Sequence, residues 1–343
     1  MCSTGFAVLR AREQVTDPHF VFHQLFSETI SAQLRALETG SNYPAVSEAD
    51  VRRLLVPAPT RDEQRRVSAV LDTVDEAIAK TEAVIAKLKQ VRAGLLHDLL
   101  TRGLDEHGEL RDPEAHPEQF RDSPLGLVPK SWVVETSGAL LTRGVLAEIQ
   151  DGNHGELHPK EGDFVEDGVP FIMAADIRED RVDLKYCKRI PSSICSRLRV
   201  GHARAGDVLL SHKASIGFVA LIGANHGEVM LTPQVTYYRI GAPDRLDGEF
   251  LSWVMRGEKF QRQLRSLAAQ STRDYVGITL QRGITIIFPK EAVEQQAIAS
   301  RLRATQAVAE SEEDELRKLR DLKSGLMDDL LTGRVCVLAD LGA

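Results

Sequence analysis

One long heptad-patterned segment occurs twice in this chain without a gap, and that duplication limits the possible fold more than any other feature. Glu63-Gln64 through Leu99-Leu100-Thr101 aligns with Glu294-Gln295 through Leu330-Leu331-Thr332, an offset of 231 positions, and the copies end in AGLLHDLLT and SGLMDDLLT. In the first copy Val67, Leu71, Val74, Ile78, Thr81, Ile85, Leu88, Arg92, Leu95 and Leu99 step by alternating fours and threes. That is the a/d spacing of a helix with one apolar stripe. The second copy puts Ile298, Leu302, Thr305, Ala309, Glu312, Leu316, Leu319, Lys323, Leu326 and Leu330 at the same phase. Polar residues interrupt both stripes at matching places, Thr81 with Glu312 and Arg92 with Lys323, which suits a pair whose register is held by polar groups. At 1.5 Å per residue each segment is a rod of roughly 57 Å, long enough to act as a ruler.

The repeat reaches beyond the helices. QLRAL at 33–37 matches QLRSL at 263–267, and Asp17-Pro18-His19-Phe20 sits where Gly248-Glu249-Phe250 sits, so residues 2–104 repeat 231–335. The division expected is a partial module at 1–58, the first helix at 59–104, an acidic, Pro- and Gly-containing connector at 105–124, a complete module at 125–289, the second helix at 290–335 and a tail at 336–343. In the complete module, strand signals at Gly168–Met173, Asp207–Ser211, Phe218–Ile222, Val235–Ile240 and Ile284–Phe288 precede or flank a helix predicted from Gly248 to Ala269, a mixed α/β (α+β) domain. About 105 residues of a full first module are missing, measured from the start of the second near 125. The portion at 1–58 is predicted to form one strand, one helix over Pro18–Glu38 and a closing strand at Arg53–Val56.

With 343 residues, 43% hydrophobic and 27% charged, the chain suits about two globular domains. No run of 18 apolar residues and no leader-like N-terminus is present, so the expected compartment is the cytoplasm, with no membrane contact. Cys2, Cys187, Cys195 and Cys336 form no CxxC pair and are expected to be reduced packing residues, without zinc. A net charge of -7 argues against a generic nucleic-acid binder, whose affinity comes from neutralised phosphates. The distribution is uneven, however: Lys185 to Lys213 holds seven basic residues against Asp207, and Leu104 to Asp122 holds seven acids against Arg111 and Arg121.

The twin EQ-heptad-GL(L/M)xDLLT segments, each preceded by an apolar stretch and a proline (LVPAPTRDEQRRV and IIFPKEAVEQQAI), closely resemble the specificity (S) subunit of Type I restriction-modification systems. LGLVPKSW, QDGNHGELHPK, GVPFIMAADI and AGDVLLSHKASIGFVALI resemble the start, early loop, next strand and middle of its target recognition domain. The resemblance covers nearly the whole chain and implies two recognition domains alternating with two long helices that form an antiparallel coiled coil. Each domain reads one half of a split sequence in double-stranded DNA. It implies as partners methyltransferase subunits, which use S-adenosylmethionine, and ATP- and Mg2+-dependent restriction subunits, with no cofactor bound by this chain. The chain departs from the pattern where most of the first recognition domain should stand, which leaves three expectations open: a fragment or misassigned start of a longer chain, a homodimer in which each copy contributes its complete domain, or a truncated structural adaptor that binds methyltransferase subunits without competent DNA reading.

No phosphate loop, HExxH, GxSxG or adenine-methyltransferase motif occurs, consistent with a noncatalytic subunit. Asp183-Leu184-Lys185 with Asp167 or Asp176 is a poor match to a metal-nuclease site. The H-x3-H spacing of His154 and His158 crosses turn residues, unlike a helical metal pair. Three places are candidates for DNA contact. Asn153, His154, His158 and Lys160 form a polar loop able to reach base edges. Lys185, Lys188, Arg189 and Lys213, with Ser211 and His212, suit phosphates, or else a solvated face. Gln270, Ser271, Thr272 and Arg273 follow the module's helix, and Arg273 either reads guanine or caps that helix.

Overall fold

The computed structural model describes residues 7–12, 14–39, 45–154, 157–178, 180–270 and 275–337, which divide into two compact units, residues 1–90 with 307–343 and residues 91–306. The described helices are α1 (Pro18–Leu25), α2 (Glu28–Leu37), α3 (Glu48–Val51), α4 (Arg61–Thr101), α5 (Ser137–Thr142), α6 (Ser192–Cys195), α7 (Gly248–Arg256), α8 (Glu258–Ala269), α9 (Ile278–Gln281) and α10 (Ala292–Leu331). The strands begin with β1 (Phe120–Arg121), β2 (Val128–Pro129), β3 (Trp132–Thr136), β4 (Leu146–Asp151), β5 (Val169–Ile172), β6 (Ile177–Arg178) and β7 (Arg181–Val182). They continue with β8 (Lys188–Ile190), β9 (His202–Ala203), β10 (Val208–Ser211), β11 (Val219–Leu221), β12 (Val229–Leu231), β13 (Val235–Ile240) and β14 (Thr285–Pro289).

The heptad segments form the two long helices, and α4 packs with α10. In the first unit, Asp75 pairs with Lys323 at 2.5 Å, Glu82 with Arg320 at 2.7 Å and Lys89 with Glu313 at 2.9 Å. The numbering rises along α4 as it falls along α10, so the pair is antiparallel. Such part-exposed ion pairs contribute little energy and serve mainly to favour one register. The stripe supplies the energy. None of its twenty positions is exposed. Val67 and Leu71 cluster with Leu330, Leu331 and Phe20 in the first unit, and Leu99 with Ile298 and Leu302 in the second. The polar interruptions divide their roles: Lys323 pairs across the helices, whereas Arg92 pairs with Asp180 and lies 5.7 Å from the centre of the Trp253 ring, tying α4 to the α/β module.

The repeat is visible as duplicated hydrogen bonds. At the start of α4 the buried Gln64 accepts from Asp17 N at 2.8 Å and donates to Pro59 O at 2.9 Å. At the start of α10 the buried Gln295 accepts from Asp247 N and donates to Pro289 O, both at 2.8 Å. Asp17 and Asp247 in turn cap α1 and α7 by accepting from Phe20 N and Phe250 N. Gln33 accepts from Leu55 N and donates to Leu55 O, as Gln263 does with Thr285.

The helix expected over Gly248–Ala269 is broken in two. Gly257 ends α7 and starts α8 in extended backbone, and a Cβ there would lie 2.7 Å from Leu100 Cδ1, so a larger residue would have to displace the Leu100 side chain of α4. The helix expected over Pro18–Glu38 breaks at the matching place, where Ser27 caps α2 by accepting from Ile30 N. No strand is assigned among described residues 7–12, and residues 3–6 lie outside the described residues. Arg53–Val56 is not a strand either. Its counterpart β14 is held by an antiparallel ladder with β3, and described residues 7–58 offer no strand to take that place. Leu55 is 76% exposed, whereas Ile286, one position beyond Leu55's counterpart Thr285, is fully buried.

In the second unit an antiparallel sheet, β11-β10-β13-β4, faces a mixed sheet, β8-β5-β12-β9, in which β5 and β12 are parallel. Because successive side chains alternate in direction, Val208, Leu210 and Tyr238 enter a core with α5, α7, α8 and the ends of α4 and α10, while Leu209, Val235 and Tyr237 pack toward the second sheet against Ile172, Val229 and Leu231. Covered on both faces, β10 is buried along its whole length and reads as an apolar run over Val208, Leu209 and Leu210. The far face of the second sheet carries a smaller cluster of Phe171, Ile190, Cys195, Leu198 and Met230.

Glu294, at the start of α10, joins connector, module and helix. Its carboxylate accepts from Arg111 at 2.6 Å, Leu104 N at 3.0 Å and Trp132 Nε1 at 3.1 Å. Gly103 lies against it with φ 66, and a Cβ there would lie 2.5 Å from the carboxylate. Glu294→Ala strands a mostly buried guanidinium and an indole N–H, and is expected to cost about 3–5 kcal/mol by urea unfolding. Leu71→Ala, at a fully buried stripe position, is expected to cost about 2–5 kcal/mol. Val91→Ala, exposed on the same helix, should stay within about 0.5 kcal/mol in the same assay.

Candidate nucleic-acid interface

The loop after β4 is shaped by a glycine. A Cβ on Gly152 would lie 2.0 Å from Thr232 O, so only glycine lets the chain pass the second sheet. The residues beyond it differ in accessibility. Asn153 is 2% exposed and donates its amide to Leu157 O at 2.8 Å, which makes it a loop brace rather than a base reader. His154 is exposed and its Nδ1 lies 3.0 Å from Gly152 O. His158 and Lys160 are also exposed, and the His158 ring rests 5.9 Å from the Phe171 ring.

Ser211 ends β10 and His212 and Lys213 follow it, and of the three only Lys213 reaches solvent. Buried Ser211 accepts from Phe218 N at 2.8 Å, holding the β10–β11 loop. His212 is fully buried between Asp151, whose Oδ1 lies 3.4 Å from its Nε2, and the Tyr275 ring, and neither ring nitrogen has a hydrogen bond. Burial depresses its pKa against the opposing pull of Asp151, so the imidazole is neutral at neutral pH. Lys213 forms a backbone bridge with Tyr275, next to the predicted Gln270–Arg273 segment. Gln270 is exposed at the end of α8, and Ser271, Thr272 and Arg273 lie outside the described residues.

A second basic group sits along β8. Lys185 is exposed over the Tyr186 ring at 5.0 Å, Lys188 lies 4.4 Å over Phe164 and 3.5 Å from Glu161, and Arg189 donates to Gly168 O. Lys185, Lys213 and Lys160 therefore retain free reach toward an anion, whereas Arg189 is partly committed to its own backbone. Phe218, Tyr275 and Tyr186 were not singled out from sequence, yet they are 49%, 39% and 71% exposed beside these lysines. Aromatic residues inside otherwise polar loops were the available signal.

His212 sets a pH dependence. Its folded pKa lies below the ordinary value of 6.5, and unfolding frees the ring to take up a proton, so the unfolded chain binds more protons as acid is added. Stability should fall as pH drops below about 6.5. In His212→Gln the loss of melting temperature between about pH 7 and pH 5.5 is expected to be smaller than in the parent chain.

No family model matches the chain. It is 23% identical over 98% of its length to the Type I restriction enzyme MjaVIII specificity subunit of Methanocaldococcus jannaschii, covering 74% of that protein. It is 22% identical over 86% of its length to the putative Type I restriction enzyme MjaX specificity subunit of the same organism, covering 63% of it. The crystal structure of a Type I restriction-modification S subunit from M. genitalium superposes with a TM-score of 0.56 over 92% of this chain and 72% of that one, at 14% identity, a likeness of fold. The chain is thus similar in sequence along nearly its whole length to Type I restriction specificity subunits, and its packed long helices and α/β module share the fold of such a subunit.

Proposed function

We propose that the chain is the noncatalytic DNA sequence-specificity subunit of a Type I restriction-modification assembly. Residues 125–289 read one half-site of double-stranded DNA. The helices at 59–104 and 290–335, paired as a coiled coil, space the reading modules and dock methyltransferase subunits, and a restriction subunit joins that assembly in the cytoplasm. S-adenosylmethionine, ATP and Mg2+ chemistry belongs to those partners. The observation that carries this reading is the duplicated stripe itself: two helices coded alike bury their apolar faces on each other, and α10 is anchored at its start to a complete α/β module through Glu294 and Gln295.

Lys160, Lys185 and Lys213 offer local positive charge on a chain whose total charge is -7, and they serve as phosphate contacts. His154, His158 and Gln270, exposed on loops, serve as base readers together with Ser271, Thr272 and Arg273. A second copy of the chain is a further partner, which brings another reader to a split target.

The test is duplex binding by the chain assembled with its methyltransferase partner. Lys213→Ala is expected to weaken binding alike for all sequences and to lower the slope of log affinity against log salt by about 1, whereas His158→Ala changes base preference. Comparing methylated adenines in cells with and without the gene should reveal a bipartite motif that disappears on deletion. If partner binding persists while DNA affinity and methylation stay unchanged without the chain, it is a docking adaptor instead. Light scattering of the assembly is expected to count two copies of this chain.

A further inference from the structure

Three ligand-type side chains that the proposed reading does not use converge in the second unit. Cys195 ends α6, His202 opens β9 and Glu228 immediately precedes β12, and one donor atom from each lies within 4.8 Å of the others. The residues are 7 and 26 positions apart in sequence, a spacing that matches no motif, so tertiary structure alone assembles them.

Their hydrogen bonds show what the cluster lacks. His202 Nε2 lies 2.7 Å from Leu198 O, and Nδ1 lies 2.6 Å from Glu228 Oε1. A neutral imidazole has one N–H. Donated to the Leu198 carbonyl, that hydrogen leaves Nδ1 facing a carboxylate oxygen at the distance of one bridging proton, and a metal ion takes that proton's place once the part-exposed Glu228 side chain draws back to coordination distance. A second proton satisfies two atoms; a metal ion satisfies three. The third donor is present, because the Cys195 thiol is 3% exposed in the apolar cluster of Phe171, Ile190, Leu198 and Met230 and completes the triangle. A ligating histidine whose other nitrogen is fixed on a backbone carbonyl is also the usual outer arrangement of a metal site.

We propose that Cys195, His202 and Glu228 bind one Zn2+ ion per chain, with water as the fourth ligand on the solvent side of Glu228. Mixed sulfur, nitrogen and oxygen donors suit this ion, which accepts tetrahedral coordination without electronic preference. The ion ties α6 to β9 and β12 around the small apolar cluster whose Phe171 supports the His158 ring, and so stiffens the floor of that loop. Binding displaces the thiol proton. Burial and then the Glu228 charge raise the Cys195 pKa in the metal-free chain, so affinity weakens as pH falls.

The experiment is a Co2+ titration of the metal-free full chain carrying Cys2→Ser and Cys336→Ser, which removes the other thiols able to bind metal at the surface or terminus. Expected are saturation at one equivalent, a thiolate-to-cobalt absorption band, its displacement by Zn2+ and a higher melting temperature with Zn2+. Cys195→Ser should abolish the band. Glu228→Gln changes a part-exposed side chain, keeps the fold and should weaken binding severalfold, so it decides the matter even if Cys195→Ser fails to fold. A folded chain that gives no thiolate band, shows no melting shift with Zn2+, or binds cobalt equally well after Glu228→Gln overturns the site and leaves a protonated His202–Glu228 ion pair in its place.

Discussion

A helix of forty residues with one apolar stripe cannot bury that stripe by itself, and the rest of this structure follows from how the problem is solved. The chain encodes the same helix twice and lays the copies antiparallel, so each stripe covers the other. Two helices alone cover the seam unevenly: Ile85 and Ala309 are buried, whereas Leu88 and Leu319 are only partly buried. In the first unit Leu71 is fully buried in the cluster that holds Phe20, and in the second Leu99 is fully buried in the module core.

Those attachments are made by a few buried polar groups of fixed geometry. Gln64 and Gln295 each satisfy a backbone N–H and the carbonyl of the preceding proline, and each holds the aspartate that caps the next helix. A buried amide with several backbone partners permits one orientation of the chain around it. Arg92 and Glu294 then link helix, connector and module, so the α/β module is held by directional contacts as well as apolar packing. On the N-terminal side Gln33 and Gln64 make the matching contacts, described residues 7–58 contain no strand in the place of β3, and the apolar residues Phe22, Phe26 and Leu55 are exposed.

Much of the fold was legible in the residues. Heptad phase gave both long helices, and the strands at 169–172, 208–211, 219–221, 235–240 and 285–289 fall within about a residue of where alternation and turn signals put them. The breaks at Ser27 and Gly257 were not legible, because the apolar periodicity continues through a single extended residue that caps the following helix. The candidate interface was legible by residue type and not by exposure. Asn153, Ser211 and His212 carry the polarity of a reading loop, yet the protein uses them inside itself.

The sequence by itself determined the duplication, the two apolar stripes, the module order and the basic loops, because these are properties of spacing and charge along the chain. Only the tertiary structure decided that Arg92 serves the module rather than the seam, that Glu294 collects three donors, and that Cys195, His202 and Glu228 meet. The physical reason is that such contacts depend on where distant segments come to rest in space, and that position is set by packing on two faces of a sheet and along a helix pair.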